Sequence, residues 1–201
     1  MYIGRFVILG RTPAGQWYLG YRVSSRSFPN RTIATREDRA IVIPTPDAVA
    51  SDNPYISYNC LRQHGRQVVV ANGSHADPII EKAAAGYPMR DALALSLLAL
   101  DYEHDQLNTP RIAAALDANG AGYLAIVTED RLTVRRMEVQ PGEAFLIATY
   151  ELNDPTPIAL EGDTPEALCD AIFDCEYELP VAVLAVMPEG ETLRMASRST
   201  R

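Results

Sequence analysis

From the amino terminus to about residue 71, short apolar runs alternate with clusters of Gly, Pro, Asn and Asp. YIGRFVIL, QWYLGYRV, RAIVIP, YISYNCLR and RQVVVA are each rich in β-branched or aromatic side chains, and each is bounded by turn formers. That pattern predicts a meander of strands in an antiparallel sheet. The period then lengthens. Asp77 as N-cap, Pro78 at the first helical position and Gly86 in a left-handed C-terminal position predict one helix. Pro88 opens a second through MRDALALSLLALDYEHD, where Leu93, Leu95, Leu97, Leu98 and Leu100 leave almost no polar face. A helix apolar all round is expected to be buried between layers, with its polar end, Asp101 to Asp105, emerging beside the sheet edges. Strands return at GYLAIVT, RLTVRRMEV and AFLIATY, divided by turns at Glu129-Asp130 and Pro141-Gly142. A third helix from Thr164 to Cys175, with Thr164 as N-cap and Pro165 after it, precedes a last strand, LPVAVLAVM. The tail after Arg194 reads as frayed.

Strands, then helices, then strands again predict an α+β layered fold, two sheets with helices packed on their outer faces. Neither an internal repeat nor a long linker interrupts residues 1–201, so one domain is expected. Composition agrees with a folded globular chain: 47% of the 201 residues are apolar and only 22% charged. A net charge of -8 argues against binding to nucleic acid or an anionic membrane by the surface as a whole, so any anionic ligand must be met locally. Cys60, Cys169 and Cys175 have no paired spacing, which disfavours a disulfide framework or a zinc ribbon. No stretch has the apolar length of a signal peptide or a membrane span, so a soluble cytoplasmic protein is expected. The apolar surface left by two sheets makes a homo-oligomer the expected assembly.

Four polar segments carry more functional groups than turns require. Tyr21 to Arg31 places Arg22, Arg26 and Arg31 with Ser24, Ser25 and Ser27 at a strand end, where guanidinium forks and hydroxyls can grip a phosphate; a solvated, turn-rich edge is the bland alternative. Asn53 to Arg62 sets Tyr58-Asn59 in a strand where Tyr55 and Tyr58 fall on opposite faces, one of them packing in the core. Asn72 to Pro78 begins as an Asn-Gly turn, but Ser74 and His75 lie just before a helix start, where an anion is favoured. Leu100 to Arg111 puts Glu103 and two aspartates beside Tyr102 and His104. No His-x-x-x-His, Cys-x-x-Cys or calcium-loop spacing supports a metal there, and no dinucleotide fingerprint, P-loop or GxSxG elbow is present.

The same segments, YRVSSRSFPNR, NPYISYNCLR, NGSHADPI followed by GYPMRDALALSLLALDYEHD, and LNTPRIAA, closely resemble those of archaeal inosine monophosphate (IMP) cyclohydrolases, densely from Met1 to about Ala115 and thinly beyond, where ATYE at Ala148 to Glu151 is the clearest match. The resemblance implies a four-layer αββα sandwich similar to the N-terminal-nucleophile amidohydrolases, although the chain opens Met1-Tyr2 with no Cys, Ser or Thr as an amino-terminal nucleophile. It implies the ring closure of 5-formamidoimidazole-4-carboxamide ribotide to IMP and water, without a metal or organic cofactor. Tyr58, Asn59 and Glu103 are then the catalytic candidates, with Glu103 a proton acceptor whose affinity for protons is raised by partial desolvation. Arg22, Ser24, Arg26, Arg31, Asn72, Ser74, His75 and Arg111 are the candidates for holding the purine ribotide. Two rivals are a nucleotide-binding protein of the same fold without turnover and an amidohydrolase whose nucleophile is exposed by cleavage.

Overall fold

The computed structural model describes residues 1–49 and 56–200; the readings placed on Asn53, Pro54 and Tyr55 lie outside them. Its elements in chain order are β1 (Phe6–Arg11), β2 (Trp17–Ser24), β3 (Arg31–Thr35), β4 (Arg39–Pro44), β5 (Tyr58–His64), β6 (Gln67–Ala71), α1 (Ala76–Ala84), α2 (Met89–Leu100), β7 (Arg111–Leu116), β8 (Gly122–Val127), β9 (Leu132–Met137), β10 (Ala144–Ala148), β11 (Thr156–Pro157), α3 (Pro165–Phe173), β12 (Pro180–Glu189) and β13 (Thr192–Ser199). The chain is α+β. Among the described residues it forms three helices and two sheets, with strand orders β11-β10-β1-β2-β12-β13 and β3-β4-β5-β6-β7-β8-β9, and every pairing is antiparallel.

Strand alternation sorts the side chains into layers. Val7, Leu9, Leu19, Tyr21 and Val23 of the first sheet meet Tyr58, Cys60, Val68, Val70 and Ile112 of the second in the core between them. The opposite faces are covered by helices: Phe6, Ile8, Tyr18 and Val183 pack on Leu168 and Ile172 of α3, while Val69, Ala71, Ala113 and Ala115 pack on α1 and α2. Strands such as β6 and β7 are therefore buried on both faces and carry no polar alternation.

The capping chemistry of α3 matches its expectation, since the Thr164 hydroxyl accepts from the Ala167 N–H at 3.2 Å. Gly86 follows α1 at φ 93°, a conformation that favours glycine. Asp77 does not cap α1. The helix starts after His75, and Asp77 sits in its first turn, held by Arg62 and Asn59. The second helix ends at Leu100 rather than running to Asp105, because Asp101 turns to φ 55°. It is not buried all round: Met89, Ala92, Leu93, Ser96 and Leu97 face the sheet, whereas Leu95 and Leu98 are exposed, Leu98 by 67%. An outer helix needs only one apolar stripe, so the leucines on its far side carry no packing requirement. The tail after Arg194 is not frayed; it completes β13, which pairs with β12 from Glu189↔Thr192 to Ala182↔Ser199. Among the described residues no helix is long and apolar enough to cross a membrane.

Candidate active site

A cleft enclosing about 570 Å³ opens where the end of β2, the approach to β1, the segment after α2 and the end of β10 converge. Arg5 and Glu103 form an ion pair in its wall. The Arg5 guanidinium meets the Glu103 carboxylate side-on, with Nη1···Oε1 at 3.2 Å and Nη2···Oε2 at 2.7 Å. Side-chain exposures are only 12% for Arg5 and 2% for Glu103. Nη1 also donates to the Asn72 carbonyl at 3.1 Å, and Arg111 Nη1 stands 3.9 Å from Glu103. Burial acts against the Arg5 charge, but Glu103, with Tyr58 and Tyr21 nearby, outweighs it and holds the guanidinium well above its ordinary pKa. Glu103 is delivered by a single bridge to Thr109 within a loop tied by Asp105, which accepts from the Leu107 and Thr109 N–H groups and the Thr109 hydroxyl. These bonds lower the Asp105 pKa against the upward push of its desolvation.

Ser24, Arg26 and Arg31 supply another part of the wall. The Ser24 hydroxyl is buried and has no hydrogen-bond partner among the described residues, so a ligand oxygen in the cleft is its natural acceptor. Arg31 is anchored through Nε to the Phe28 carbonyl at 3.0 Å. Arg26 stacks on Tyr2, 4.1 Å from the ring centroid, and Tyr2 in turn lies against Tyr150. Gly4 at φ 71° is required here, because a side chain at that point would enter the Thr149 hydroxyl and the Tyr150 ring. A chain of net charge -8 thus presents a local concentration of guanidinium groups to a small ligand.

Of the residues singled out in the sequence, Ser24, Arg26, Arg31 and Glu103 line the cleft. Tyr58 does not line the cleft; it sits in the core between the sheets and acts electrostatically on Arg5, which does line it. Others are placed elsewhere. Arg22 is a correction: it follows Tyr21 in β2 and so faces the other way, under α3, where it donates to the carbonyls of Ile172, Cys175 and Tyr177 and burial lowers its pKa. Asn59 likewise follows Tyr58 to the outer face and binds the Asp77 carboxylate at 2.9 Å. Asn72 is occupied by β7, donating to the Pro110 carbonyl at 2.9 Å and accepting from the Ile112 N–H at 2.8 Å. Ser74 is exposed and away from the cleft wall. His75 and Arg111 lie behind the Arg5–Glu103 pair; Arg111 Nε donates to the Asp101 carbonyl at 2.8 Å. The environment of Glu103 also differs from a desolvated, unpaired carboxyl, since two guanidiniums attend it. Arg5, Tyr2, Thr109 and Tyr150 were not singled out. Arg5 carried one usable signal, a charged side chain inside the otherwise apolar word YIGRFVIL. Among the described residues no group of three or more His, Cys, Asp or Glu side chains has metal-holding geometry.

His75 carries a testable electrostatic load. Its Nε2 contacts the Ile112 carbonyl at 2.9 Å, so that nitrogen bears the proton, and Nδ1 is buried without a partner among the described residues. Burial above all, helped by Arg111 and Arg5 against the Ile112 bond, draws its pKa from 6.5 down to about 3. The unfolded chain therefore binds a proton that the folded chain refuses between those values. The stability this neutral His contributes is present above pH 6.5 and is lost as pH falls towards 3, by about 1.4 kcal/mol per pH unit. Chemical denaturation from pH 7 to 4 should show a shallower pH slope for His75→Gln than for the wild type; equal slopes would refute the burial of a neutral imidazole.

A buried guanidinium–carboxylate pair beside a cleft walled by basic side chains and a buried hydroxyl is suited to receive a small anionic ligand. The comparisons with known proteins narrow that class. Residues 2–192 match the family described as IMP cyclohydrolase-like protein. The chain is 47% identical over 193 residues to the IMP cyclohydrolase of Haloquadratum walsbyi, covering 95% of this chain and 93% of that one. It is 46% identical to the IMP cyclohydrolase of Natronomonas pharaonis, covering 97% of each chain, and 46% identical to that of Methanocella arvoryzae, covering 90% of each. The chain belongs to the IMP cyclohydrolase-like family.

Proposed function

We infer that this chain catalyses the last ring closure of purine synthesis, converting 5-formamidoimidazole-4-carboxamide ribotide to IMP and water. The observation that carries the reading at the level of residues is the cleft that combines the Arg5–Glu103 pair with Ser24, Arg26 and Arg31. In the substrate the carboxamide nitrogen and the formyl carbon are already tethered, so folding them together is the main entropic task. The substrate phosphate binds Arg26, Arg31 and the Ser24 hydroxyl, and that remote contact orients the reacting end. The carboxamide nitrogen attacks the formyl carbon, forming the C–N bond. Glu103, whose oxygens keep lone pairs beyond those used by Arg5, takes the proton released from that nitrogen. Arg5 and Tyr58 donate to the developing oxyanion. The proton held by Glu103 and the one given up by the former formamide nitrogen both pass to the adduct oxygen, which leaves as water as the C=N bond closes.

The same reading extends to the frame. We propose one domain over residues 1–201 with the αββα arrangement of the N-terminal-nucleophile amidohydrolases, working in the cytoplasm as a homo-oligomer on a free ribotide, with neither nucleic acid nor membrane as partner. The test is direct: purified, metal-chelated protein is given the formamido ribotide and IMP is followed spectrophotometrically. Product formed in the presence of chelator, and reduced by about 10²–10³-fold in Tyr58→Phe, supports the reading. Tight binding of the ribotide with no product would instead favour a nucleotide-binding protein.

A further inference from the structure

Tyr21 and Tyr58 come from different sheets and meet in the core between them, with their hydroxyl oxygens 2.6 Å apart. Tyr21 is wholly inaccessible and Tyr58 is 6% exposed. Apolar side chains such as Val23, Val42, Leu61 and Val70 belong to the same core, and the Arg5 guanidinium is near enough to act electrostatically on both rings. Geometry alone allows either hydroxyl to donate. The surroundings decide between them. If Tyr58 donated, the Tyr21 proton would be stranded, because no other acceptor is bonded to that hydroxyl among the described residues, and a stranded buried donor costs roughly 1–3 kcal/mol. If Tyr21 donates, the free proton belongs to Tyr58, which keeps 6% accessibility where Tyr21 keeps none.

We propose that Tyr21 is a positioning residue for the ring closure, donating its hydroxyl proton to Tyr58 Oη and so fixing the Tyr58 proton towards the reacting formyl oxygen. The proposal rests on the cyclohydrolase reading and adds to it a residue that never touches substrate. Burial first, and then the neighbouring Tyr58, hold the Tyr21 hydroxyl well above the ordinary tyrosine pKa. Tyr21 therefore remains a donor wherever the enzyme works. Without it, the Tyr58 hydroxyl can rotate and spend its proton on other acceptors, and a share of the bound complexes is misaligned.

The test is a double-mutant cycle on the full chain, with kcat and KM for the formamido ribotide measured in wild type, Tyr21→Phe, Tyr58→Phe and the double variant. Tyr21→Phe keeps the ring that fills the core, and is expected to lower kcat about tenfold with KM little changed. In the Tyr58→Phe background the same substitution should leave kcat as it is, because the group it positions is gone. A merely structural tyrosine would give equal losses in both backgrounds, or none, and either result overturns the proposal. Full activity in Tyr58→Phe overturns it too. An inactive wild type instead defeats the cyclohydrolase reading, and this proposal with it. Should Tyr21→Phe fail to fold, a ring-fluorinated tyrosine at position 21 replaces it. Its fluorine NMR signal should move on addition of IMP in the wild-type background and stay fixed in Tyr58→Phe; a signal indifferent to IMP in both sinks the idea.

Discussion

Replacing Glu103 by Gln is expected to lower kcat by about 10²–10³-fold and to destabilise the fold by roughly 3–5 kcal/mol. Both effects follow from one environment. Glu103 is 2% exposed and bonded edge-on to Arg5, with Arg111 Nη1 3.9 Å away. The amide retains the shape but removes the charge that makes the buried Arg5 guanidinium tolerable, and an uncompensated buried charge costs far more than the intact pair contributes. In the same stroke the proton acceptor is lost and Arg5 is free to leave its place beside the substrate. Arg5→Met combined with Glu103→Met separates the two consequences. Replacing both charges by apolar groups of similar bulk should restore part of the stability, since Arg5 is no longer left as an uncompensated charge although Arg111 still loses the carboxylate 3.9 Å away, yet activity should stay at the level of Glu103→Gln or below. Thermal or denaturant unfolding beside steady-state turnover reads both. A Glu103→Gln enzyme with near wild-type kcat would remove Glu103 from the mechanism, and a double variant as unstable as the single one would show that the pair is not where the stability resides.

What could be read from the chain beforehand depended on how local its cause was. The α3 start was legible because Thr164, Pro165 and Glu166 act on their own turn, and Gly86 ended α1 for the same reason. The run RIAAAL of β7 was not, because a strand covered on one face by the first sheet and on the other by helices needs no alternation, and alanines carry no strand preference of their own. The leucines of α2 misled in the opposite direction: Leu95 and Leu98 are apolar yet stand outside. For the site, the segments were found as words, but the face each side chain takes was not. Tyr58 and Asn59 are neighbours on a strand and cannot both face the same way, a limit that strand geometry alone imposes. Which of them faces the core depends on where the first sheet lies, and that is a tertiary fact. Arg5 was passed over because its partner Glu103 is distant in sequence, joined to it only when the start of β1 meets the segment after α2.

The same argument predicts a clean division between two arginines of one segment. Arg22→Met is expected to destabilise the fold by about 3 kcal/mol while leaving KM for the ribotide near its wild-type value. Arg22 is inaccessible and its guanidinium donates to three backbone carbonyls at the end of α3 and just beyond it; methionine would leave the Ile172 and Tyr177 carbonyls without this donor, at roughly 1–3 kcal/mol each before relaxation, while the Cys175 carbonyl keeps the Tyr177 N–H. Arg31→Met should do the reverse, raising KM about 10–100-fold, the equivalent of about 1.5–3 kcal/mol for a hydrogen bond to a charged group, with a smaller change in melting temperature. Arg31 lies on the cleft wall and, among the described residues, donates from Nε to the Phe28 carbonyl, so the phosphate loses more by its removal than the fold does. Measuring melting temperature and KM for the two variants in parallel decides the point. If Arg22→Met weakened ribotide binding and spared stability, the phosphate would have to be moved to the α3 side of the first sheet. If both variants changed only stability, Arg31 would join Arg22 in the scaffold, leaving Arg26 and Ser24 to meet the phosphate.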